Sequence, residues 1–168
     1  IRIIGTGSVS NKNVGSGKSI NTTGLSLADN TSNASNYSLS TGTFTINRKA
    51  LDVSGSRSYD GTTTVSSGSI SLSGLIGSET LNKSGSVAIS SSNVATYSSV
   101  SINTSLLSLS DGSNGGLSAN YTLSGGSHSV TISQKSIGAV GSKVYDGTTS
   151  VSSSNLSLTG LVGSESLN

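Results

Sequence analysis

Residues 59–82 (YDGTTTVSSGSISLSGLIGSETLN) return 86 positions later as residues 145–168 (YDGTTSVSSSNLSLTGLVGSESLN), with 17 of the 24 aligned residues identical. The exchanges are mild, as in Ile70/Leu156, Ile76/Val162 and Thr80/Ser166. A second set repeats more loosely. Residues 19–22 (SINT) match 101–104, residues 36–39 (NYSL) match 120–123 (NYTL), and Thr45-Ile46 matches Thr131-Ile132. The shift grows from 82 through 84 to 86, so two small insertions separate the copies. Self-similarity on this scale restricts the fold to an array of modules. In 168 residues it leaves room for two modules of about 84 each. Modules that small bury only about 60–65% of their unfolded surface, so thin cores are expected.

The side-chain inventory agrees. Hydrophobic residues are 31%, Phe44 is the one aromatic beyond five tyrosines, and Trp, Met, Cys and Pro are absent. The lack of Met is what an excerpt from a longer protein would show. Without Cys there are neither disulfides nor thiolate metal sites, a usage compatible with export. Charged residues are only 10% and the net charge is +2, with no Lys/Arg cluster, so charge gives no support to nucleic-acid or membrane-surface binding. No apolar run approaches the 18 or so residues of a membrane span.

Apolar and small polar residues alternate in short runs: Phe44-Thr45-Ile46, Ile70-Ser71-Leu72, Val87-Ala88-Ile89, Val130-Thr131-Ile132 and Leu156-Ser157-Leu158. Period two predicts strands with one buried face. Gly, Asn, Asp and Ser punctuate them at the spacing of antiparallel sandwiches. The spacing predicts six to eight strands of eight to ten residues per module, tight turns at Asp60-Gly61 and Asp146-Gly147, and one short helical turn at Gly77-Ser78-Glu79. A repeat can be cut anywhere. Cutting after Asn82 gives modules 1–82 and 83–168; the other frame is 1–49 partial, 50–136 complete and 137–168 partial.

Five ordered motifs resemble the YDG repeat of large bacterial surface adhesins, the filamentous haemagglutinin-like exoproteins. They are Arg57-Ser58-Tyr59-Asp60-Gly61-Thr62-Thr63 with its copy from Lys143 to Thr149, the stretch from Gly74 to Glu79, the Lys-Gly element from Asn11 to Lys18, Asn36-Tyr37-Ser38-Leu39, and the segment from Thr45 to Leu51. The second module departs from the pattern, with Asn93-Val94-Ala95-Thr96-Tyr97 where the Lys-Gly element should be. The resemblance implies a secreted protein at the bacterial cell surface. Its neighbouring repeats would be its partners, and the module would be a non-enzymatic stalk presenting a distal binding region. The alternative is that the repeats themselves bind host glycans or extracellular matrix.

The candidate ligand or turn motif is Tyr59, Asp60 and Gly61 with Tyr145, Asp146 and Gly147. A Tyr beside an acid can stack on a sugar. The same residues also suit a turn, in which Asp bonds its own backbone and Gly supplies positive φ. Six of the seven carboxylates form repeat pairs, Asp29/Asp111, Asp60/Asp146 and Glu79/Glu165. Such pairs could clamp Ca²⁺ between modules, yet residues 111–116 lack the alternating acids of a calcium loop, so no cofactor is expected and Ca²⁺ stays an open option. Lys49 and Lys135 read as strand-end cations rather than isopeptide donors. His128, the single histidine, reads as an exposed loop residue, and with serines everywhere no Ser-His-Asp match has meaning. The expected fold is all-β, two tandem Ser/Thr/Gly-rich modules as antiparallel Ig-like β-sandwiches, with β-grasp-like modules or a β-solenoid as alternatives.

Overall fold

The computed structural model describes residues 1–167. It is all-β, mostly strands with no long helix and no closed barrel among the described residues. In chain order the strands are β1 (Arg2–Gly5), β2 (Ser8–Val9), β3 (Gly15–Asn21), β4 (Leu25–Ala28), β5 (Thr43–Ile46), β6 (Lys49–Ala50), β7 (Asp52–Ser58), β8 (Thr64–Ser66) and β9 (Ile70–Ser73). They continue with β10 (Leu81–Ile89), β11 (Ala95–Ser98), β12 (Ile102–Asn103), β13 (Leu107–Asp111), β14 (Tyr121–Thr122), β15 (His128–Ser133), β16 (Gly138–Gly141) and β17 (Leu156–Thr159). Only β10 reaches the expected eight to ten residues. Asx and Ser turns cut the others short, because small polar side chains offer the backbone partners outside the ladder. The chain divides into two compact units. One comprises residues 1–51, 74–81 and 110–125, the other residues 52–73, 82–109 and 126–168.

In the first unit β1 pairs antiparallel with β4, and β2, β3 and β5 form a sheet in that order, with a register shift in β3 between Gly15 and Lys18. A two-residue parallel ladder joins β6 to β14. In the second unit one four-stranded sheet runs β11-β15-β7-β9, and another joins β12, β8 and β13 to β10. A two-stranded sheet of β16 and β17 lies in the same unit. Pairing is mixed rather than antiparallel throughout: β7 and β15 run parallel from His128↔Val53 to Ser133↔Ser58. Alternation along a strand reports its faces and says nothing of its neighbour's direction, so this part of the expectation is corrected.

Period two does place the core. Val53 and Ile70 on β7 and β9, Tyr97 on β11, and Val130 and Ile132 on β15 are buried from one sheet. Val65, Val87, Ile89 and Leu107 are buried from the other, with Val65 directly opposite Val87. Every buried hydrophobic residue lies between Leu51 and Ile132. The repeat counterparts outside that span are half-buried, as Val9, Leu25 and Ile46 are, or open to solvent. Val65 is fully buried while Val151 is 59% exposed, Ile70 is 3% exposed against 41% for Leu156, and Val130 is fully buried against 53% exposure for Phe44.

Two local expectations change. Residues 76–79 form a turn closed by Glu79 N–H donating to the Ile76 carbonyl (3.0 Å) with Gly77 at φ +56°, and no helix. His128 opens β15 and is half-buried, its Nδ1 accepting from Val53 N–H (3.2 Å) and its own N–H donating to Ser99 Oγ (2.7 Å). The exposed-loop expectation failed because a polar residue at a strand's first position carries no periodicity signal of its own.

Candidate functional site: two tyrosine–glutamate joints

Each compact unit contains a tyrosine whose phenol donates to a glutamate, and the two glutamates are repeat equivalents. In the first unit the Tyr121 hydroxyl donates to Glu79 Oε2 (2.5 Å) and accepts from Ile76 N–H (3.2 Å). The Lys12 ammonium donates to Glu79 Oε1 (3.0 Å), so both carboxylate oxygens are held. Alongside, Asn120 Oδ1 accepts from Val14 N–H (2.9 Å) and its amide donates to Asn13 Oδ1 (3.1 Å). A cleft of about 270 Å³ lies here, lined among others by Lys12, Ile46, Lys49 and Ile76. Lys12 and Asn13 come from the early part of the chain, and Glu79 and Tyr121 lie 42 residues apart, so neither sequence nor spacing announces the cluster.

In the second unit the Tyr59 hydroxyl donates to Glu165, and Gly61 sits against Val162, whose Cγ1 would lie 3.1 Å from any Cβ at that position. A cleft of about 600 Å³ is lined here by Tyr59, Lys135, Ile137, Leu161 and Val162. Glu79 and Glu165 stand 86 residues apart, the repeat interval. The same acid thus serves two different tyrosines of the repeat, one from the Asn-Tyr segment and one from the Tyr-Asp-Gly segment.

The electrostatics suit holding rather than reacting. The Tyr121 phenol first, and then Lys12, hold the Glu79 carboxyl below its ordinary range. Burial first, and then the bond to Glu79, push the Tyr121 phenol up. The bond to Glu165 does the same for Tyr59. In the Glu79–Tyr121 pair acid and phenol are driven apart, so at neutral pH the proton stays on the tyrosine, whereas general acid–base work wants a group brought toward neutrality.

The Tyr-Asp-Gly residues themselves build a turn. Asp60 Oδ1 accepts from Thr62 N–H (2.9 Å) and Oγ1 (2.7 Å), Gly61 takes φ +77°, and Arg57 pairs with Asp60 from below. Asp146 does the same with Thr148 (2.9 Å to each atom) around Gly147 at φ +72°. There Lys143 takes the place of Arg57, donating to Asp146 (2.9 Å), the Thr148 carbonyl (2.9 Å) and the Ser150 carbonyl (2.6 Å). Sequence reasoning gave Arg57, Lys143 and Lys12 no role. For Arg57 and Lys143 the available signal was a cation two residues before the Tyr of each Tyr-Asp-Gly; Lys12 had none. Tyr145 is 92% exposed.

The other candidates are placed as follows. Asp111 Oδ1 accepts from Ser118 N–H (2.7 Å) and Oγ (2.8 Å), and Asp29 accepts from Ala34 N–H (2.5 Å). Gly112 and Gly116 pass so close to the Thr80 carbonyl that a Cβ would sit 2.2 and 1.9 Å from its oxygen, which explains the glycines of the calcium-loop lookalike. Among the described residues no group of three or more His, Asp or Glu could hold a metal. Lys49 and Lys135 are exposed.

A family model described as the YDG domain matches residues 45–131, that is 87 of 168 residues and more than half the chain. No curated protein matches the chain, and no solved structure does. The family match corrects the adhesin resemblance: the designation is shared with SRA-type DNA-binding proteins, and the match does not indicate an adhesin or a cell-surface protein. The stalk function and the glycan- or matrix-binding alternative, which rested on that resemblance, fall with it. The physical reason lies in the motif: its Asp and Gly shape a turn and its Tyr meets a glutamate, so it marks a fold, and a fold is compatible with many functions.

Proposed function

We propose that this chain, which belongs to the YDG domain family, is a non-catalytic docking module whose partner is a neighbouring copy of its own repeat. The observation that carries the reading is the double use of one repeated glutamate, Glu79 with Tyr121 and Lys12, Glu165 with Tyr59. On this reading the matched segment is one immunoglobulin-like β-sandwich, supported by its two four-stranded sheets with buried alternate positions. The residues before β6 and after β15 are then parts of the flanking modules, and the seams between modules run through the joints. Lys12 belongs to the first seam and Glu165 to the second. No cofactor enters the reading. Charge weighs against nucleic acid as the partner: nine Lys and Arg face seven Asp and Glu, and Lys12, Arg57 and Lys143 are already paired with acids.

Hydrogen exchange on Glu79→Gln tests this. Removing the carboxylate charge should loosen the seam, so that the Val14 amide, which bonds across it, and the Ile76 amide, which bonds the Tyr121 hydroxyl beside it, exchange faster while Val87 and Val130 stay protected. Unchanged exchange at Val14 and Ile76 would refute the seam.

A further inference from the structure

Asn114 is the one residue other than glycine with positive φ (57°) among the described residues. It precedes Gly115, at φ +84°, and no other asparagine of the chain precedes a glycine. Two positive values in succession make residues 113–116 a tight turn of the I′ kind. The bond that closes it runs from Gly116 N–H to the Ser113 carbonyl (3.1 Å), so the Gly115 nitrogen takes no part in it. Both central residues are exposed, and nothing stands within 4 Å of the place a Gly115 Cβ would take. The Asn114 side-chain amide donates to the Ser78 carbonyl (2.9 Å).

An uncrowded glycine nitrogen beside a side-chain carbonyl carbon can attack it. The Asp-Gly pairs, Asp60-Gly61, Asp111-Gly112 and Asp146-Gly147, present the same arrangement, and the fold restrains each of them. Their carboxylates accept from the N–H and hydroxyl of Thr62, Ser118 and Thr148. These bonds, with Lys143 first at Asp146, hold the acids below their ordinary range. They are therefore anions at neutral pH, and an anionic carboxylate repels a nucleophile where a neutral amide does not. The other asparagines within the chain precede residues with a side chain, whose Cβ crowds the nitrogen that would have to attack.

We propose that Asn114 is a self-modifying site, at which attack by the Gly115 nitrogen and then by water turns the amide into aspartate or isoaspartate. In the first step the Gly115 nitrogen gives up its proton and forms a bond to Asn114 Cγ. The bond from Cγ to Nδ2 breaks, and that nitrogen leaves with the proton as ammonia. Water then opens the resulting succinimide. Cleavage on one side gives aspartate, and on the other isoaspartate, whose main chain runs through the former side chain. Water is the only co-reactant. Both products strike the same place. A carboxylate at position 114 has no proton to donate to the Ser78 carbonyl. Isoaspartate also adds a methylene to the main chain of a turn keyed to Thr80, whose N–H donates to the Ser113 carbonyl (3.1 Å) and whose Oγ1 accepts from Ser113 N–H (2.8 Å). Thr80 follows Glu79, so the change arrives beside the Tyr121–Glu79 joint. The modification stands apart from the docking reading above; only its effect on the joint rests on that reading.

Peptide mass mapping of the whole chain during incubation at mildly alkaline pH, where the attacking nitrogen loses its proton more readily, provides the test. The peptide holding Asn114 should gain the mass of an amide-to-acid exchange before any other asparagine peptide does. It should also separate into two products of equal mass, aspartate and isoaspartate. Asn114→Gly accepts the same φ and has no amide to lose, so its peptide should keep its mass. Asn114→Asp supplies one product directly. In that variant and in the converted protein the Thr80 and Ser113 amides should exchange on the order of fivefold faster, as the weakening of one hydrogen bond implies, while Val87 and Val130 stay protected. An Asn114 that converts no faster than the other asparagines would overturn the site. Unchanged exchange at Thr80 and Ser113 would overturn its hold on the turn, and neither result touches the Glu79→Gln experiment.

Discussion

Val65 and Val151 occupy the same place in nearly the same sentence, Asp-Gly-Thr-Thr-Thr-Val-Ser-Ser against Asp-Gly-Thr-Thr-Ser-Val-Ser-Ser, and differ in surroundings. Val65 is fully buried opposite Val87, while Val151 is 59% exposed. Truncating Val65 to Ala removes two methyl groups from the core, about 1.6 kcal/mol at ~0.8 each. A void of a few tens of Å³ adds about 1 kcal/mol at ~24 cal/mol per Å³. The total is about 2.5 kcal/mol. For Val151→Ala only the covered fraction counts and no cavity forms, which leaves roughly 0.6 kcal/mol. Urea unfolding followed by tyrosine fluorescence, with Tyr97 and Tyr121 buried as reporters, should show the midpoint falling by about 1–2 M for Val65→Ala. It should hardly move for Val151→Ala in dilute solution. Equal shifts for the two variants would show that the second copy is as complete as the first, and the division into one whole repeat and two halves would be wrong.

Stability should fall on both sides of a neutral plateau. Glu79 is held low chiefly by Tyr121, Asp60 by the Thr62 N–H, Asp111 by the Ser118 N–H and Asp146 by Lys143. These carboxyls bind protons more weakly folded than unfolded, so their contribution is present above the ordinary values of 3.8 and 4.5 and is lost as pH drops below them. Tyr59 and Tyr121 are raised above 10.0, so their contribution holds below that value and is lost as pH rises past it. Thermal melts across pH should trace both limbs; a melting temperature flat through either would contradict the joints. Gly85 takes φ +87°, and a Cβ there would meet the Leu106 carbonyl oxygen at 2.1 Å, a backbone atom that cannot swing away. Gly85→Ala should therefore cost more than the ~1 kcal/mol of an unfavourable backbone region alone. A wild-type urea midpoint would show that the local backbone yields.

Much of the local order is legible in the chain. Alternation at Val87-Ala88-Ile89 and Val130-Thr131-Ile132 picks out strands and their buried positions, because side chains on a pleated strand must point to opposite faces. Asp60-Gly61 and Asp146-Gly147 announce turns, because Asp can bond the backbone two residues on and Gly accepts positive φ at little cost. The repeat itself pairs Glu79 with Glu165 before any coordinates are known.

Tertiary structure alone decided which copy of each residue is used. Tyr121 is buried against Glu79 while its counterpart Tyr37 is 61% exposed, and Tyr59 meets Glu165 while Tyr145 is 92% exposed. The local sequences are almost the same. Burial of a side chain is fixed by the strands laid over it, and those come from far along the chain, as Lys12 and Glu79 do across 67 residues. The parallel match of β7 to β15 and the half-buried His128 escaped the sequence for the same reason. Local pattern sets what a segment can form, and only its distant neighbours determine what that segment finally covers.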